Sequence, residues 1–178
     1  MRVLTSVSFS YVVEEDRILA AVNASGSDAW SCWLTRRLVL GLLDRAEEFL
    51  VTTSALMKQA PSEVRDELII FEREAAMAST AKKMSSTPPD VLTQRATAAE
   101  LAERLTISSQ ADRFRVELHG VKGGGAAGFF ARAELQRFFQ MLQAQVAKAD
   151  WLGTSAKSSA EKTVQATGPK ACFAAVPA

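Results

Sequence analysis

The sequence has few of the residues from which metal sites and catalytic sites are built. Its 178 residues include one histidine, His119, and two cysteines, Cys32 and Cys172. Two cysteines so far apart give neither a disulfide framework nor a metal-ligand spacing, and their scarcity favours a reducing, cytoplasmic setting. His119 has a carboxylate nearby in Glu117, as a general base requires, but a solvated histidine at a strand end is the simpler interpretation. We therefore predict no catalytic residue, no cofactor and no metal ligand, and favour a protein that is not an enzyme.

Long apolar runs and an excess of one charge are also missing. No stretch approaches the ~18 consecutive apolar residues of a membrane-spanning helix, and the residues after Arg2 are too polar for the core of a signal peptide. The formal net charge is +1, so the field of the whole molecule attracts neither nucleic acid nor an anionic membrane. We expect a cytoplasmic protein without a membrane partner, in which any basic site is a local patch.

Hydrophobic periodicity predicts short strands and long helices. Strands are expected at 6–13, 18–22, 30–34, 100–108 and 113–119, and a sixth strand ends at Phe130. Two of these strands continue directly into helices. Thr35 is placed to cap the first of the two helices, which is expected to run to about Met57. The other helix carries an apolar stripe formed by Leu135, Phe138, Phe139, Leu142 and Val146.

The order strand–strand–strand–helix occurs twice, at a constant offset. Asp112-Arg113 follows Asp16-Arg17 by 96 residues, and the apolar positions of the two halves then coincide without a gap. We predict an α+β fold of two three-stranded antiparallel β-units, each followed by a long helix, as a βββα pseudo-repeat. The predicted boundaries are a single domain over 1–152, with units at 5–57 and 100–150 and a helical insert at 61–97, followed by a disordered Ala-, Ser- and Lys-rich tail over 153–178.

The insert is expected to contribute a second long helix. Pro61 suits the first helical position, and Glu63 lies where a carboxylate favours the helix dipole. The apolar positions of this helix follow a heptad-like seam formed by Val64, Leu68, Phe71, Ala75 and Ala78. We expect the seam to pack on the helix that follows Thr35, so that the two helices form an antiparallel α-helical hairpin between the β-units.

One basic patch is expected on the second β-unit. Arg104, Arg113 and Arg115 should share the outward face of its strands, with Lys122 nearby. A basic sheet face of this kind is compatible with single-stranded nucleic acid, although such binders also carry aromatic stacking platforms among the charges. The outward neighbours that alternation places beside these arginines are not aromatic. Single-stranded nucleic-acid binding is therefore the first alternative function.

One glycine-rich segment has the spacing of a nucleotide-binding loop. The segment is Gly123-x-Gly125-x-x-Gly128. In nucleotide-binding loops with this spacing, the glycines allow backbone amides to contact a pyrophosphate at a helix N-terminus. A strand precedes this segment, but Phe129-Phe130 reads as a further strand, and no later strand completes a βαβ unit. A flexible hairpin link is the simpler interpretation, and a nucleotide-binding enzyme is the second alternative.

Several strands are apolar on both faces, and one layer of helices covers only one face. The apolar side chains that we expect to form an interface are Trp30, Trp33, Leu19 and Phe129. Either the helical hairpin folds across the second face or a partner chain covers it, because exposed apolar patches of this size mark protein interfaces. The leading prediction is a non-catalytic protein-interaction or assembly module, an accessory subunit or adaptor that self-associates or binds another protein.

Overall fold

Apolar strands separated by polar turns assemble into one mixed sheet with helices on both of its faces. The structure is a computed structural model that describes residues 1–80 and 87–153. Within these ranges it contains seven strands and five helices. The strands are β1 (Arg2–Val3), β2 (Val7–Val12), β3 (Arg17–Val22), β4 (Trp30–Leu34), β5 (Glu100–Gln110), β6 (Arg113–Gly120) and β7 (Gly125–Phe130). The helices are α1 (Arg36–Thr52), α2 (Ala55–Gln59), α3 (Ser62–Thr80), α4 (Pro89–Thr97) and α5 (Arg132–Lys148).

The predicted α+β class is confirmed, and the sheet is larger than expected. Its strand order is β1-β7-β6-β5-β4-β3-β2. The pairs β1–β7 and β4–β5 are parallel, and all other neighbours are antiparallel. The sheet therefore consists of two antiparallel meanders, the first formed by β2, β3 and β4 and the second by β5, β6 and β7, which meet at β4 and β5. The predicted tail beyond Gly153 lies outside the described residues.

The chain connectivity requires the sheet to curl. The strands β1 and β2 stand at opposite ends of the strand order, which in a flat seven-stranded sheet would separate them by about 29 Å. Only Leu4, Thr5 and Ser6 connect them, and a step of four residues reaches at most about 14 Å. The Leu4 amide donates to the Ala127 carbonyl, and the Asn23 amide donates to the Ser6 carbonyl. The N-terminal segment thus links the two ends of a curled sheet.

The concave side of the sheet holds the core. Helix α5 lies there with Leu135, Phe138 and Leu142 fully buried, as the sequence predicts. The Phe138 ring packs edge-on against Phe9, with centroids 5.1 Å apart, and against Phe130 at 6.0 Å. Strands from both meanders therefore enclose one helix.

Helix α1 begins as predicted and ends earlier. Thr35 accepts a hydrogen bond from the Leu38 amide and so caps the helix. The predicted end near Met57 is wrong, because the helix stops at Thr52. Two consecutive threonines follow Val51, and β-branched residues with hydroxyls that bond back to preceding carbonyls disfavour helix continuation. Ser54 then accepts from the Met57 amide, 3.3 Å away, at the start of α2.

The expected hairpin of α1 and α3 does not form as predicted, because α3 packs mainly on α5. Among the α3 side chains that the structure describes, Ile69 and Ala76 are buried. Between them, the Glu72 carboxylate accepts from Arg132 Nε at 2.8 Å and from Gln136 Nε2 at 3.0 Å. The sequence pattern favoured an all-apolar seam, but a polar position with two partners on α5 lies on the buried face. The predicted seam remains largely exposed.

The two halves share their strand order but not every register. The β3–β4 and β6–β7 pairings coincide at the predicted offset of 96 residues. Phe9 pairs with Ala20, whereas Val116, the counterpart of Ala20, pairs with Ile107 and not with the expected Leu105. The gapless alignment is therefore wrong in the first hairpin, because the β5–β6 turn is two residues shorter than the β2–β3 turn. The pseudo-repeat itself stays a prediction.

Candidate interaction surfaces

Helix α4 covers the convex face of the first meander. The Ser31 hydroxyl donates to the Arg95 carbonyl at 2.7 Å, and the Arg95 guanidinium donates twice to the Ala24 carbonyl, at 2.9 and 3.2 Å. Beneath the helix, Leu19 is 1% exposed and Ala21 is equally buried. We expected either a helix or a partner to cover the second face of the sheet. In the first meander, a helix of the same chain, α4, covers it. Leu19 is not available to a partner in this arrangement.

Trp30 is also buried, on the concave face. Its indole N–H donates to Glu100 Oε1 at 2.8 Å, and the other carboxylate oxygen accepts from the Lys122 amide at 2.6 Å. Trp33 is half-buried on the convex face, opposite Leu101. Of the four residues predicted to form an interface, only Phe129, at 51% exposed, is freely accessible.

The glycine-rich segment has a structural role at each of its glycines. It forms the β6–β7 turn and part of β7, and α5 begins only at Arg132, so the segment does not lie at a helix N-terminus. Gly123 has a φ of +82° in the turn. A Cβ on Gly125 would lie 2.7 Å from the Leu118 carbonyl, and one on Gly128 would lie 2.3 Å from the Leu4 carbonyl. The dinucleotide-binding geometry is absent from this segment.

Two further glycines make room for the carboxylate of Glu100. A Cβ on Gly120 would lie 2.1 Å from the Glu100 Cδ atom, and a Cβ on Gly124 would lie 1.9 Å from Oε1. The glycine content of this turn therefore follows from the buried Trp30–Glu100 pair. Sequence reasoning missed this pair because its members are 70 residues apart.

Cys32 and His119 lie on opposite faces of the sheet. Burial and the nearby Glu100 carboxylate raise the pKa of the Cys32 thiol to about 12, so the thiol stays protonated and unreactive near neutral pH. His119 lies on the convex face, opposite Arg104 on β5. Residues 1–80 and 87–153 contain no group of three His, Cys, Asp or Glu side chains placed to hold a metal ion.

The convex face of β5–β7, by contrast, is more exposed. The main helix contacts of β6 and β7 are with α5, on the concave side, and the outward positions of these strands alternate with the buried ones. These outward positions are Arg104, Thr106 and Ser108 on β5, Arg113, Arg115, Glu117 and His119 on β6, and Ala127 and Phe129 on β7. The predicted grouping of the three arginines on one face is therefore what the strand registers show. Lys122 is exposed in the adjoining turn.

An aromatic residue lies among these arginines, contrary to the expectation from alternation. Phe129 pairs directly with Arg115 across β6 and β7. The Arg113 guanidinium donates to the Phe129 carbonyl at 3.2 Å. The sequence could not show this juxtaposition, because it depends on the β6–β7 register, which the length of the glycine-rich turn determines.

A bulge shifts one further apolar side chain onto the convex face. Regular alternation would place Leu101 on the same side as Leu105. The register shift between Ala102 and Arg104 turns Leu101 outward, beside Trp33. Leu101 is 37% exposed. It lies at the opposite end of the open face from Phe129.

Helix α3 presents the second open surface. It has 19 residues, and of the α3 side chains that the structure describes only Ile69 and Ala76 are buried. Its exposed large apolar side chains are Val64, Ile70, Phe71 and Met77. Each residue of a helix is rotated by about 100° from the previous one, so residues seven apart point in nearly the same direction. Val64 and Phe71 therefore form one line along the helix, and Ile70 and Met77 form another. We call this surface the α3 face.

A row of glutamates lies between the two apolar lines of the α3 face. Glu63, Glu67 and Glu74 are all exposed, and helical geometry places them in the interval between the lines. The α3 face therefore has a central row of acidic side chains with a line of apolar side chains on each side of it.

An apolar groove of about 540 Å³ lies between α1 and α5. The residues that line it include Leu40, Leu43, Val146 and Leu152, with Asp44 as its one charged group. It contains no arrangement of acid, base or nucleophile that would favour a reaction.

Comparison of the chain with protein-family models, with curated proteins and with solved structures gave no match. None of the described helices combines the length and the apolar character that crossing a membrane requires.

Proposed function

We propose that the protein is a non-catalytic protein-interaction module, an adaptor or accessory subunit, and that the α3 face is its docking surface. The single observation that carries this proposal is the concentration of exposed large apolar side chains on one helix. Phe71 is 68% exposed and Ile70 is 54% exposed. Several exposed large apolar side chains gathered on one element of a soluble protein favour a binding site there.

The α3 face is held in a defined position, as a docking surface requires. The Arg132 guanidinium donates to Glu72 at 2.8 Å, to the Leu50 carbonyl at 2.8 Å and to the Thr53 hydroxyl at 3.3 Å. One side chain at the start of α5 therefore ties α3 to the end of α1. Because the helix is anchored from beneath, its outer face is presented without needing to be ordered by the partner.

The acidic row specifies the chemistry of the partner. Glu63, Glu67 and Glu74 lie in the middle of the apolar surface, so a partner should bring lysine or arginine side chains between two apolar lines of its own. A two-fold copy of the same face would place the acidic row against itself. We infer that the partner is a different protein with a basic amphipathic surface, rather than a second copy of the chain.

Affinity capture from the source organism tests the proposal when it is followed by direct binding. The full chain with Phe71→Ala should lose the captured protein, and so should the charge reversal Glu67→Lys/Glu74→Lys. Phe129→Ala is the matched control, because it removes an exposed phenylalanine outside the α3 face. Calorimetry with the purified partner should show at least about tenfold weaker binding to Phe71→Ala, a loss of about 1.4 kcal/mol, because a large exposed aromatic side chain is expected to be among the minority of interface residues that cost more than about 1 kcal/mol.

Two outcomes would contradict the proposal. Capture that is unchanged in both α3 variants would show that the α3 face is not the docking surface. Light scattering that shows a dimer of the wild-type chain, dissociated by Phe71→Ala, would show that a second copy occupies the face, as the sequence led us to expect.

A further inference from the structure

We propose that the convex face of β5–β7 is a separate binding surface for single-stranded nucleic acid, with Phe129 as a stacking platform and the neighbouring arginines as phosphate contacts. This surface shares no residue with the α3 face. The proposal therefore does not depend on the protein-interaction function.

The arrangement around Phe129 carries the proposal. The ring is half exposed on an open sheet, and Arg115 lies directly across from it on β6. Arg113 donates to the Phe129 carbonyl at 3.2 Å, which holds a second guanidinium beside the ring. An exposed aromatic ring between cationic side chains can stack on a base while the guanidinium groups contact the adjacent phosphates.

The charge of the face extends beyond this pair. Arg104 lies at the other end of the β5–β6 pairing, opposite His119, and Lys122 is exposed in the adjoining turn. Glu117 opposes this charge, since it forms an ion pair with Arg115 at 2.7 Å. Ion pairs between partly exposed side chains are weak, so a phosphate can compete with Glu117 for the guanidinium.

The distribution of apolar residues favours a nucleic acid over a protein on this face. Phe129 and Leu101 lie at opposite ends of the face. The middle is polar, formed by Thr106, Ser108 and Glu117. A protein interface would be expected to have an apolar centre, whereas a single strand needs separate stacking and phosphate contacts along its length. A duplex keeps its bases stacked on one another, so it would not use the ring.

Fluorescence anisotropy with a labelled dT12 oligonucleotide and the full chain tests the proposal. We expect salt-sensitive binding at 50 mM salt that weakens at 200 mM. Phe129→Ala should weaken binding about fivefold or more, the lower end of the range for loss of one base–aromatic stack. Arg113→Gln should weaken binding and reduce the slope of log affinity against log salt by about 0.7.

Matched controls lie elsewhere on the molecule. Phe71→Ala removes an exposed phenylalanine from α3, and Arg37→Gln removes an exposed arginine from the start of α1. Neither should change the affinity for dT12 by more than about twofold. The same Phe71→Ala and Phe129→Ala variants serve both experiments with opposite expectations, so failure of one proposal is distinguishable from failure of the other.

The proposal would be overturned by absence of dT12 binding at 50 mM salt. It would also be overturned by equal affinity for a duplex of the same length, or by affinity that falls with Arg113→Gln and Arg37→Gln alike and is unchanged by Phe129→Ala. The last result would show diffuse electrostatic attraction without a site.

Discussion

At the scale of single residues, the buried contact between Trp30 and Glu100 joins the two halves of the sheet. The carboxylate accepts from the Trp30 indole and from the Lys122 amide, and the surrounding glycines leave space for it. A buried carboxylate is tolerated here because both of its oxygens have donors. The pair joins β4 of the first meander to β5 and the β6–β7 turn of the second.

Glu100→Ala should destabilise the fold by about 2–4 kcal/mol, because the buried Trp30 indole N–H and the partly buried Lys122 amide would lose their acceptor. Urea unfolding followed by tryptophan fluorescence would measure the change. Glu103→Ala is the matched control, since Glu103 is an exposed glutamate on the same strand, and it should change stability by less than about 0.5 kcal/mol. Equal effects of the two substitutions would show that the Glu100 contacts contribute nothing to stability.

At the scale of elements, local pattern predicted what local forces determine. The cap at Thr35, the apolar stripe of α5 and the alternation of β6 depend on neighbours within a few residues, and all three are present in the structure. The buried face of α3 was predicted wrongly, because it depends on Arg132, 60 residues away from Glu72. A periodic seam of apolar residues does not reveal whether a charged residue beside it has a buried partner.

Arg132→Ala should loosen α3 without unfolding the sheet. Removal of the guanidinium leaves the partly buried Glu72 carboxylate without its ionic partner, and it also releases the Leu50 carbonyl. The loss of about 1–3 kcal/mol expected for such a group should appear in hydrogen exchange as faster exchange of α3 amides, by about tenfold for each 1.4 kcal/mol. Amides of β3 and β6 should be affected less.

The control for this substitution is Arg37→Ala, which removes an exposed arginine from α1. It should leave α3 exchange unchanged. If Arg132→Ala slowed or preserved α3 exchange, the guanidinium would not be the anchor of the helix, and the rigid presentation of the α3 face would need another cause.

At the scale of the whole molecule, the curled sheet is the feature that sequence reasoning could least supply. The expected six strands were found, but the parallel β4–β5 pairing and the N-terminal link between the two sheet ends are contacts between distant segments. Periodicity reports which face of a strand is buried and not which strand is its neighbour. For the same reason, Phe129 was expected at a protein interface and Arg115 on a nucleic-acid surface, and only the strand register shows that the two residues are neighbours.

Asp16, in the β2–β3 turn, binds Trp151 near the end of the described residues. Its carboxylate accepts from the Trp151 indole at 2.8 Å and from the Tyr11 hydroxyl at 3.0 Å. The hydrogen bond from Trp151, that from Tyr11 and the charge of Arg36 hold the pKa of Asp16 below its ordinary value of 3.8. The contact thus joins residues 135 positions apart, and it favours the charged form of the carboxyl.

The sign of the pH dependence follows from this shift. A carboxyl whose pKa is lower in the folded state stabilises the fold at pH values above its unfolded-state pKa, and the contribution is lost as the pH falls through the folded-state pKa. Asp16→Asn keeps an acceptor oxygen and suits the positive φ of 45° at this position, so it removes mainly the charge. The variant should be less stable than the wild type at pH 7, and the difference should shrink below about pH 4.

Tyr11 offers an independent measurement, because it is the only tyrosine in the sequence. The hydrogen bond to Asp16 raises the pKa of the Tyr11 phenol above 10.0, since a neighbouring carboxylate opposes ionisation. Titration of the absorbance at 295 nm should therefore give a lower pKa in Asp16→Asn than in the wild type. Asp112→Asn, at the turn of the other hairpin, should leave the titration unchanged. A Tyr11 pKa that is the same in all three proteins would show that Asp16 does not bind the phenol in solution. The predicted pH-dependent contribution of Asp16 to stability would then be wrong.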